Sequence, residues 1–489
     1  MRTVRDQRVN GGPADAAGTT TGADITITDA GDGARTTAGA GSTGTAAGAG
    51  RRPKLRAVPG HRLAGLPQLA GADERLRHEI AVVAAVLPFK VNNHVLEELI
   101  DWRRVPDDPM YRLTFPHRDM LPAELFDRIS ALISAGAPRE RLAEAVAAAR
   151  RALNPHPGGQ LEENIPELDG RPVPGLQHKY RETVLLFPAQ GQSCHAYCGY
   201  CFRWAQFVGE PDLRQSLPGP ATALDYLRAH QEVADVLITG GDPLIMSTAR
   251  LAGYVEPLLG PGTEHLRTIR LGTKALAWWP HRFTTDPDAD DLLRLFERAV
   301  AAGRQVAVMA HVSHPRELAG EAVRAAVARI RSTGAVIRAQ APLIRHVNDS
   351  SDVWAAMWRD MVRLGIAPYY LFVERDTGAS SYFEVPLARA VEIYRDAVRQ
   401  VSGLERTARG PVMSAGPGKV CLDGVAEVAG ERVFVCRFLQ AREPERVGLP
   451  FFARYDERAT WFDQLRPASF ERRPWFAGDS QLAGEPALV

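Results

Sequence analysis

Apolar and polar positions along this chain fall into two regimes. Between residues 74 and 153 apolar residues recur at helical spacing in ERLRHEIAVVAAV, HVLEELIDW, ELFDRISALISA and RERLAEAVAAARRAL. The spacing predicts helices there, with VPDDPMYRLTFP as a connection. From about residue 183 the pattern switches to short β-prone runs. These are TVLLF (183–187), DVLITG (235–240), LRTIRLG (266–272), QVAVMAH (305–311), AVIRAQA (335–341) and YYLFV (369–373). Amphipathic stretches such as ADDLLRLFERAVAAG and AVRAAVARIRSTG separate them. Strand-then-helix units in series predict an α/β fold with a parallel sheet and right-handed crossovers. Six such units are two short of a closed eight-fold barrel. The expected architecture is therefore an open, partial (β/α)6 barrel, with its catalytic loops at the C-terminal ends of the strands.

The flanks differ in composition. Residues 1–73 are rich in Gly, Ala, Thr and Asp and are expected to be a disordered low-complexity tail. The expected division is thus a tail (1–73), an N-terminal helical region (74–180), the partial barrel (181–402) and a smaller C-terminal segment (403–489). In that last segment VAGERVFVCRFL reads as a strand.

Composition narrows the function classes. Hydrophobic residues are 45% and charged residues 24% of 489, ordinary for a soluble globular protein. No apolar run has the length of a membrane span, and MRTVRDQRVNGG has no apolar signal core. A net charge of +1 gives no global field for nucleic acid or membrane, so neither is expected as a partner.

Three of the five cysteines, Cys194, Cys198 and Cys201, lie in SCHAYCGYCFRW with C-x3-C-x2-C spacing. A [4Fe–4S] cluster normally takes four thiolates. Three from one loop leave one iron open to a small molecule, as a chemically active cluster needs. A zinc site would want a fourth Cys or His at ligand spacing, and His195 is too tightly placed between Cys194 and Cys198 to supply it. A disulfide framework is disfavoured by five cysteines without a secretory signal. Reduced thiols point to the cytoplasm. Cys421 and Cys436, far downstream, read as ordinary buried thiols.

Two further elements matter. After the second β-prone run, Gly240 and Gly241 permit close backbone approach and Asp242 adds a carboxylate. Of 59 lysines and arginines only Lys54, Lys90, Lys179, Lys274 and Lys419 are lysine. A lysine kept in so arginine-biased a chain suits a site where the amine must lose its proton, which guanidinium does not do. Lys419 lies in SAGPGKVCLDG, a Gly- and Pro-flanked setting read as a tight loop.

The cysteine loop, with aromatic Tyr200 before its third cysteine, resembles the signature of radical S-adenosylmethionine (SAM) enzymes, and GGD resembles their SAM amino-group motif. With LPFKVNNHVLEELIDW, DPMYRLTFP, HKYRETVLLF, VLITGGDPL, TIRLGTKAL, AHVSHPREL, RHVNDS and YYLFV, the chain resembles the lysine 2,3-aminomutase family of pyridoxal phosphate (PLP)-dependent radical SAM enzymes from about 85 to 440. The resemblance implies an isomerase that moves the amino group of an L-α-amino acid to its β-carbon. A 5′-deoxyadenosyl radical takes the β-hydrogen, and the β-radical closes onto a nitrogen held as an imine.

It also implies roles for single residues. Cys194, Cys198 and Cys201 would ligate the cluster, and Gly240, Gly241 and Asp242 would border SAM. Lys419 would carry PLP, with Lys179 and Arg181 on its phosphate, and Arg203 would grip the substrate α-carboxylate. An amino acid substrate, an electron donor such as flavodoxin or ferredoxin, and a homo-oligomer are implied as partners.

Lysine-specific members hold the substrate's distal ammonium with two carboxylates. Here one position falls on Arg375, beside Asp376, and the other in VMSA (412–415). Nor does a counterpart of the family's C-terminal cysteine metal site follow Cys436. The substrate is therefore expected to be an acidic or neutral amino acid, such as glutamate. A radical SAM enzyme without PLP and a non-catalytic iron–sulfur protein are the alternative classes.

Overall fold

The computed structural model describes residues 53–155, 164–208, 215–471 and Trp475. The six β-prone runs all form strands: β6 (Thr183–Leu186), β7 (Asp235–Ile238), β8 (Thr268–Thr273), β9 (Gln305–His311), β10 (Val336–Leu343) and β11 (Ala367–Val373). Each pairs in parallel with its sequence neighbour. The crossovers carry α5 (Ala221–Ala229), α6 (Thr248–Val255), α7 (Ala289–Ala301), α8 (Glu321–Ser332) and α9 (Ser351–Leu364), and α10 (Leu387–Arg399) follows β11. The partial (β/α)6 barrel read from the sequence is the core of the fold.

Alternation along the strands explains the packing. In β8, Ile269 and Leu271 join Leu292, Phe296, Trp354 and Trp358 in the main core, while Thr268, Arg270 and Gly272 stay half-exposed toward the lumen. The lumen is thus polar and open where the helix-facing side is dry.

The sheet is larger than six strands. A seventh parallel strand, β12 (Arg409–Ser414), follows α10. Antiparallel β13 (Gly418–Val428), β14 (Glu431–Ala441) and β15 (Pro450–Arg454) extend that edge, and β5 (Leu176–Tyr180) covers the other. The 403–489 segment therefore continues the barrel sheet. It also moves Lys419 from the expected loop to the second residue of β13, paired with Ser414.

The N-terminal region holds α1 (Glu74–Val86), α2 (Pro109–Thr114), α3 (Ala123–Ser134) and α4 (Arg139–Ala152). Asp73 caps α1 by accepting from Leu76 N at 3.0 Å. Three expectations change here. HVLEELIDW is one π-helical turn, Val95–Leu99, then a 3-10 turn, Trp102–Arg104, because Asn92 and Asp101 accept local backbone N–H groups. The supposed connection VPDDPMYRLTFP contains α2, capped by Asp108 with Pro109 in its first turn. Of the predicted tail, residues 1–52 lie outside the described residues. Residues 57–69 are ordered: β1 (Ala57–Pro59) pairs with β2 (Lys90–Asn92), and Leu63 and Leu69 are buried. Among the described residues no helix is long and apolar enough to cross a membrane.

Candidate active site

The cysteine loop follows β6, at the C-terminal rim where barrel chemistry was expected. It is held from outside and inside. Tyr197 N donates to Lys90 O and Gly199 N to Leu113 O, both at 2.8 Å, so the N-terminal region is its outer wall. From inside the GGD turn docks on it: Asp242 N donates to Ser193 O at 2.7 Å and Gly241 N to Gly191 O at 3.1 Å. A Cβ on Gly241 would stand 2.4 Å from Ser193 O, so only glycine permits this approach, and Gly240 has φ +146.

Asp242 itself turns inward. Its carboxylate accepts from Thr273 Oγ1 at 2.8 Å and from the Lys274 and Leu244 N–H groups at 2.9 Å. Burial raises its pKa to about 6 against those bonds. It braces the rim between β7 and β8, and the turn's backbone faces the cysteines.

The three thiols are half-buried and free. Burial pushes Cys194 well up, Cys198 to about 12 and Cys201 to about 11. Each also feels its own cation: Lys90 at Cys194, Lys274 at Cys198 and Arg203 at Cys201. That distribution suits three thiolates with a positive charge shared among them. Among the described residues no group of three or more His, Cys, Asp or Glu is gathered to hold a metal ion. A four-iron cluster takes each thiolate on a different iron, a wider arrangement than one ion demands.

Behind Cys198 lies a network that sequence reasoning missed. Lys274 Nζ stands 2.8 Å from Glu317 Oε1 and 4.5 Å from the centroid of the Trp278 ring. Glu317 also accepts from Trp278 Nε1 and Ser313 N, both at 2.5 Å, and the Ser313 hydroxyl lies 3.2 Å from Tyr200 Oη. The buried carboxylate is fully partnered, and it fixes a cation that faces Cys198.

Lys419 is a titratable group of the lumen. Its Nζ donates to Gln440 Oε1 at 2.9 Å and lies over the rings of Tyr370 at 4.7 Å and Tyr180 at 5.7 Å. Burial, then the charges of Arg270 and Arg409, lower its pKa to about 7. Gly418 is forced by the strand pairing, because a Cβ there would meet Gln440 O at 2.4 Å. Lys179 donates to the Ala415 carbonyl, while Arg181 is exposed on the β5–β6 turn.

Arg203 is buried, stacked 4.0 Å from the Phe187 ring centroid, with Nη2 donating to Gln206 Oε1 at 2.7 Å. Burial lowers its pKa to about 10, which leaves it charged at neutral pH. Among the described residues Arg203 Nε and Gln206 Nε2 have no hydrogen-bond partner. One open donor belongs to the guanidinium and the other to the amide beside it, a pair chemically suited to an anion's oxygens.

No family model matches the chain. Among curated proteins, one from Aquifex aeolicus named "Putative L-lysine 2,3-aminomutase" is 29% identical over 407 residues, 83% of this chain and 95% of that one. The chain is similar to the lysine 2,3-aminomutase family over most of its length. Family members named L-lysine 2,3-aminomutase from Escherichia coli and Clostridium subterminale are 31% and 29% identical, and the chain spans 63% and 55% of their lengths. Among solved structures, a radical SAM methyltransferase from Sphaerobacter thermophilus aligns over 60% of this chain and 94% of that one, at 16% identity and a TM-score of 0.35. That likeness is too slight to bear on function.

The distal position of the family site falls, as read from the sequence, on Arg375. Its guanidinium lies 5.2 Å from the Phe202 ring centroid and 5.8 Å from that of Trp461. Burial lowers its pKa, and Asp376, Glu374, Tyr180 and Asp463 favour its charge. Asp376 therefore acts on Arg375 itself. Residues 412–415 bring no carboxylate, since Val412, Met413 and Ala415 are buried apolar positions.

Proposed function

We propose that the protein is a PLP-dependent radical SAM 2,3-aminomutase that moves the amino group of an L-α-amino acid with an acidic or neutral side chain, glutamate being the first to test. One observation carries the reading: thiols that each face a cation occupy the barrel rim, and an amine with a pKa near 7 faces the same lumen. When bound, the cluster with SAM supplies hydrogen abstraction from carbon, and PLP supplies the electron-accepting partner that lets nitrogen change carbon.

The protein's own part is holding and excluding. Cys194, Cys198 and Cys201 hold the cluster on a loop clamped between the GGD turn and the N-terminal region. Lys419 offers an amine substantially unprotonated at neutral pH, the form that bonds to an aldehyde. Arg203, with Gln206, receives the α-carboxylate on its two open donors. Arg375, steadied between Phe202 and Trp461, faces the distal end. A substrate ammonium there meets like charge with little solvent to screen it, whereas a carboxylate or neutral group does not. The electron donor is a small redox protein, and the working form is a homo-oligomer.

Anaerobic turnover with SAM, PLP, a reductant and either glutamate or lysine tests the reading. We expect β-amino product from glutamate over lysine. A wide preference for lysine overturns the substrate assignment, and no β-amino product from any amino acid overturns the reaction.

A further inference from the structure

The lumen side of the cysteine loop belongs to substrate and bound cofactors in the proposed reaction, so an electron for the cluster has to come from the outer side. Most of that side is walled by the apolar core of the N-terminal region. One place is different. After β11 the helical turn Ser380–Phe383 sets Phe383 directly on the loop: a Cβ at Gly199 would stand 3.0 Å from Phe383 Cζ. Tyr200, between the second and third cysteines, meets the same ring edge-on at 6.3 Å between centroids. Cys198 and Cys201 pack against the group of buried side chains that holds Tyr200, Tyr382 and Phe383.

From Phe383 the rings continue outward. Tyr382 meets Phe383 at 4.8 Å between centroids, His117 stacks on Tyr382 at 4.8 Å, and His346 tilts over it at 4.5 Å. Both imidazoles are half-buried and reach solvent. His346 takes φ +70, a left-handed backbone that few side chains adopt. Arg112 Nη1 donates to Tyr382 Oη at 3.3 Å and Arg345 N to Phe383 O at 2.8 Å, so α2 and the segment after β10 frame the rings. Tyr382 and Phe383 thus lie between the imidazoles at the surface and the cysteine loop. Charges around them are largely matched: Arg112 pairs with Asp107, and Arg118 with Asp119 and Asp127.

We propose that the face formed by His117, Tyr382, His346 and Arg112 docks a small one-electron redox protein, which reduces the cluster across Tyr382 and Phe383. The inference rests on the cluster reading of Cys194, Cys198 and Cys201. Electron tunnelling weakens steeply with distance and with gaps in packing, and here side chains pack without a break from the surface to Cys198 and Cys201. The rings are not themselves reduced; they fill the path. One electron leaves the donor, which is oxidised by one unit, and enters the cluster, which is reduced by one unit. No bond forms or breaks. Matched charge and exposed ring edges suit the small, short-lived contacts of electron-transfer pairs, in which the donor must leave after each delivery.

The test uses the full chain with its cluster reconstituted anaerobically and follows cluster absorbance under two reductants. Dithionite, a small ion that needs no docking face, reads the cluster itself. Without cluster absorbance the parent reading falls and takes the proposal with it, whereas a cluster that dithionite bleaches leaves the face to be judged alone. Flavodoxin hydroquinone is the protein donor. His117→Glu and Tyr382→Leu should each slow bleaching by flavodoxin about tenfold, the effect of losing one interface anchor, and leave the dithionite rate unchanged. Oxidised flavodoxin should also slow backbone amide exchange at 117–119 and 345–349. Unchanged flavodoxin rates in both variants overturn the proposal, and so does protection confined to another face. Where a variant slows both reductants, the exchange pattern of the unmodified protein decides: protection at these segments supports the face and none overturns it. Protection there that grows with the protein's own concentration, flavodoxin absent, gives the face to a second copy and overturns the proposal as well.

Discussion

Gly241→Ala should separate the two loops that build the proposed cluster site. A Cβ at Gly241 would lie 2.4 Å from Ser193 O, 2.5 Å from Ser193 N and 2.6 Å from Ser193 C. All three are backbone atoms, so no side chain can rotate away. Non-bonded heavy atoms prefer about 3.5 Å or more, so the GGD turn must retreat by roughly 1 Å. That retreat breaks the bonds from Asp242 N to Ser193 O, 2.7 Å, and from Gly241 N to Gly191 O, 3.1 Å. Two backbone hydrogen bonds at about 1 kcal/mol each and an overpacking cost of about 1–3 kcal/mol give a local destabilisation of about 3–5 kcal/mol. The assay is iron and sulfide content after anaerobic reconstitution, alongside denaturant unfolding. We expect little retained iron and an earlier transition. Gly253→Ala on α6 is the matched control: its Cβ meets nothing within 4 Å, and it should gain about 0.5–1 kcal/mol from helix propensity. Full iron loading and an unchanged transition in Gly241→Ala would refute the argument that glycine is there for close approach.

The remaining predictions concern single side chains. Cys198→Ala should abolish the cluster absorbance and SAM cleavage while Cys421→Ala, on β13, retains both; an intact cluster in the first variant removes the assignment. Lys419, with a pKa near 7, is protonated and unreactive below that pH and free above it. Its capture of PLP should therefore climb between about pH 6 and 8 and then level off; a rise continuing toward pH 10 would show an ordinary lysine. Arg203→Ala should raise the apparent substrate constant about ten- to a hundredfold at unchanged iron content, from the loss of a charged hydrogen-bonded contact.

Much of the barrel was legible because each parallel strand is buried on its helix-facing side and so reads as a short apolar run between amphipathic helices. Strands β12 and β13 were hidden by their glycines and prolines. In RGPVMSAGPGKV those residues suggest a loop, yet a Cβ at Gly410 would come within 2.7 Å of Leu371 O and one at Gly418 within 2.4 Å of Gln440 O. Glycine there serves close strand approach. The Asp108–Pro109 pair, an N-cap followed by a first-turn proline, could have revealed α2. The cysteine loop and the GGD turn were readable because each is local in sequence. The Lys274–Glu317–Ser313–Tyr200 network was not, since its members come from the cysteine loop and from the ends of β8 and β9.

The sheet runs from β5 to β15 in strict sequence order. Every strand in it pairs with the one made just before it, the parallel ones across helical crossovers. Such a sheet can grow from one edge as the chain leaves the ribosome. The strand that leads into the cysteine loop enters early in that growth, and the hairpin bearing Lys419 only after every parallel strand is in place. The segments of the two proposed cofactor sites are thereby made in a fixed order. The cysteine loop is complete in the chain well before the hairpin that carries Lys419.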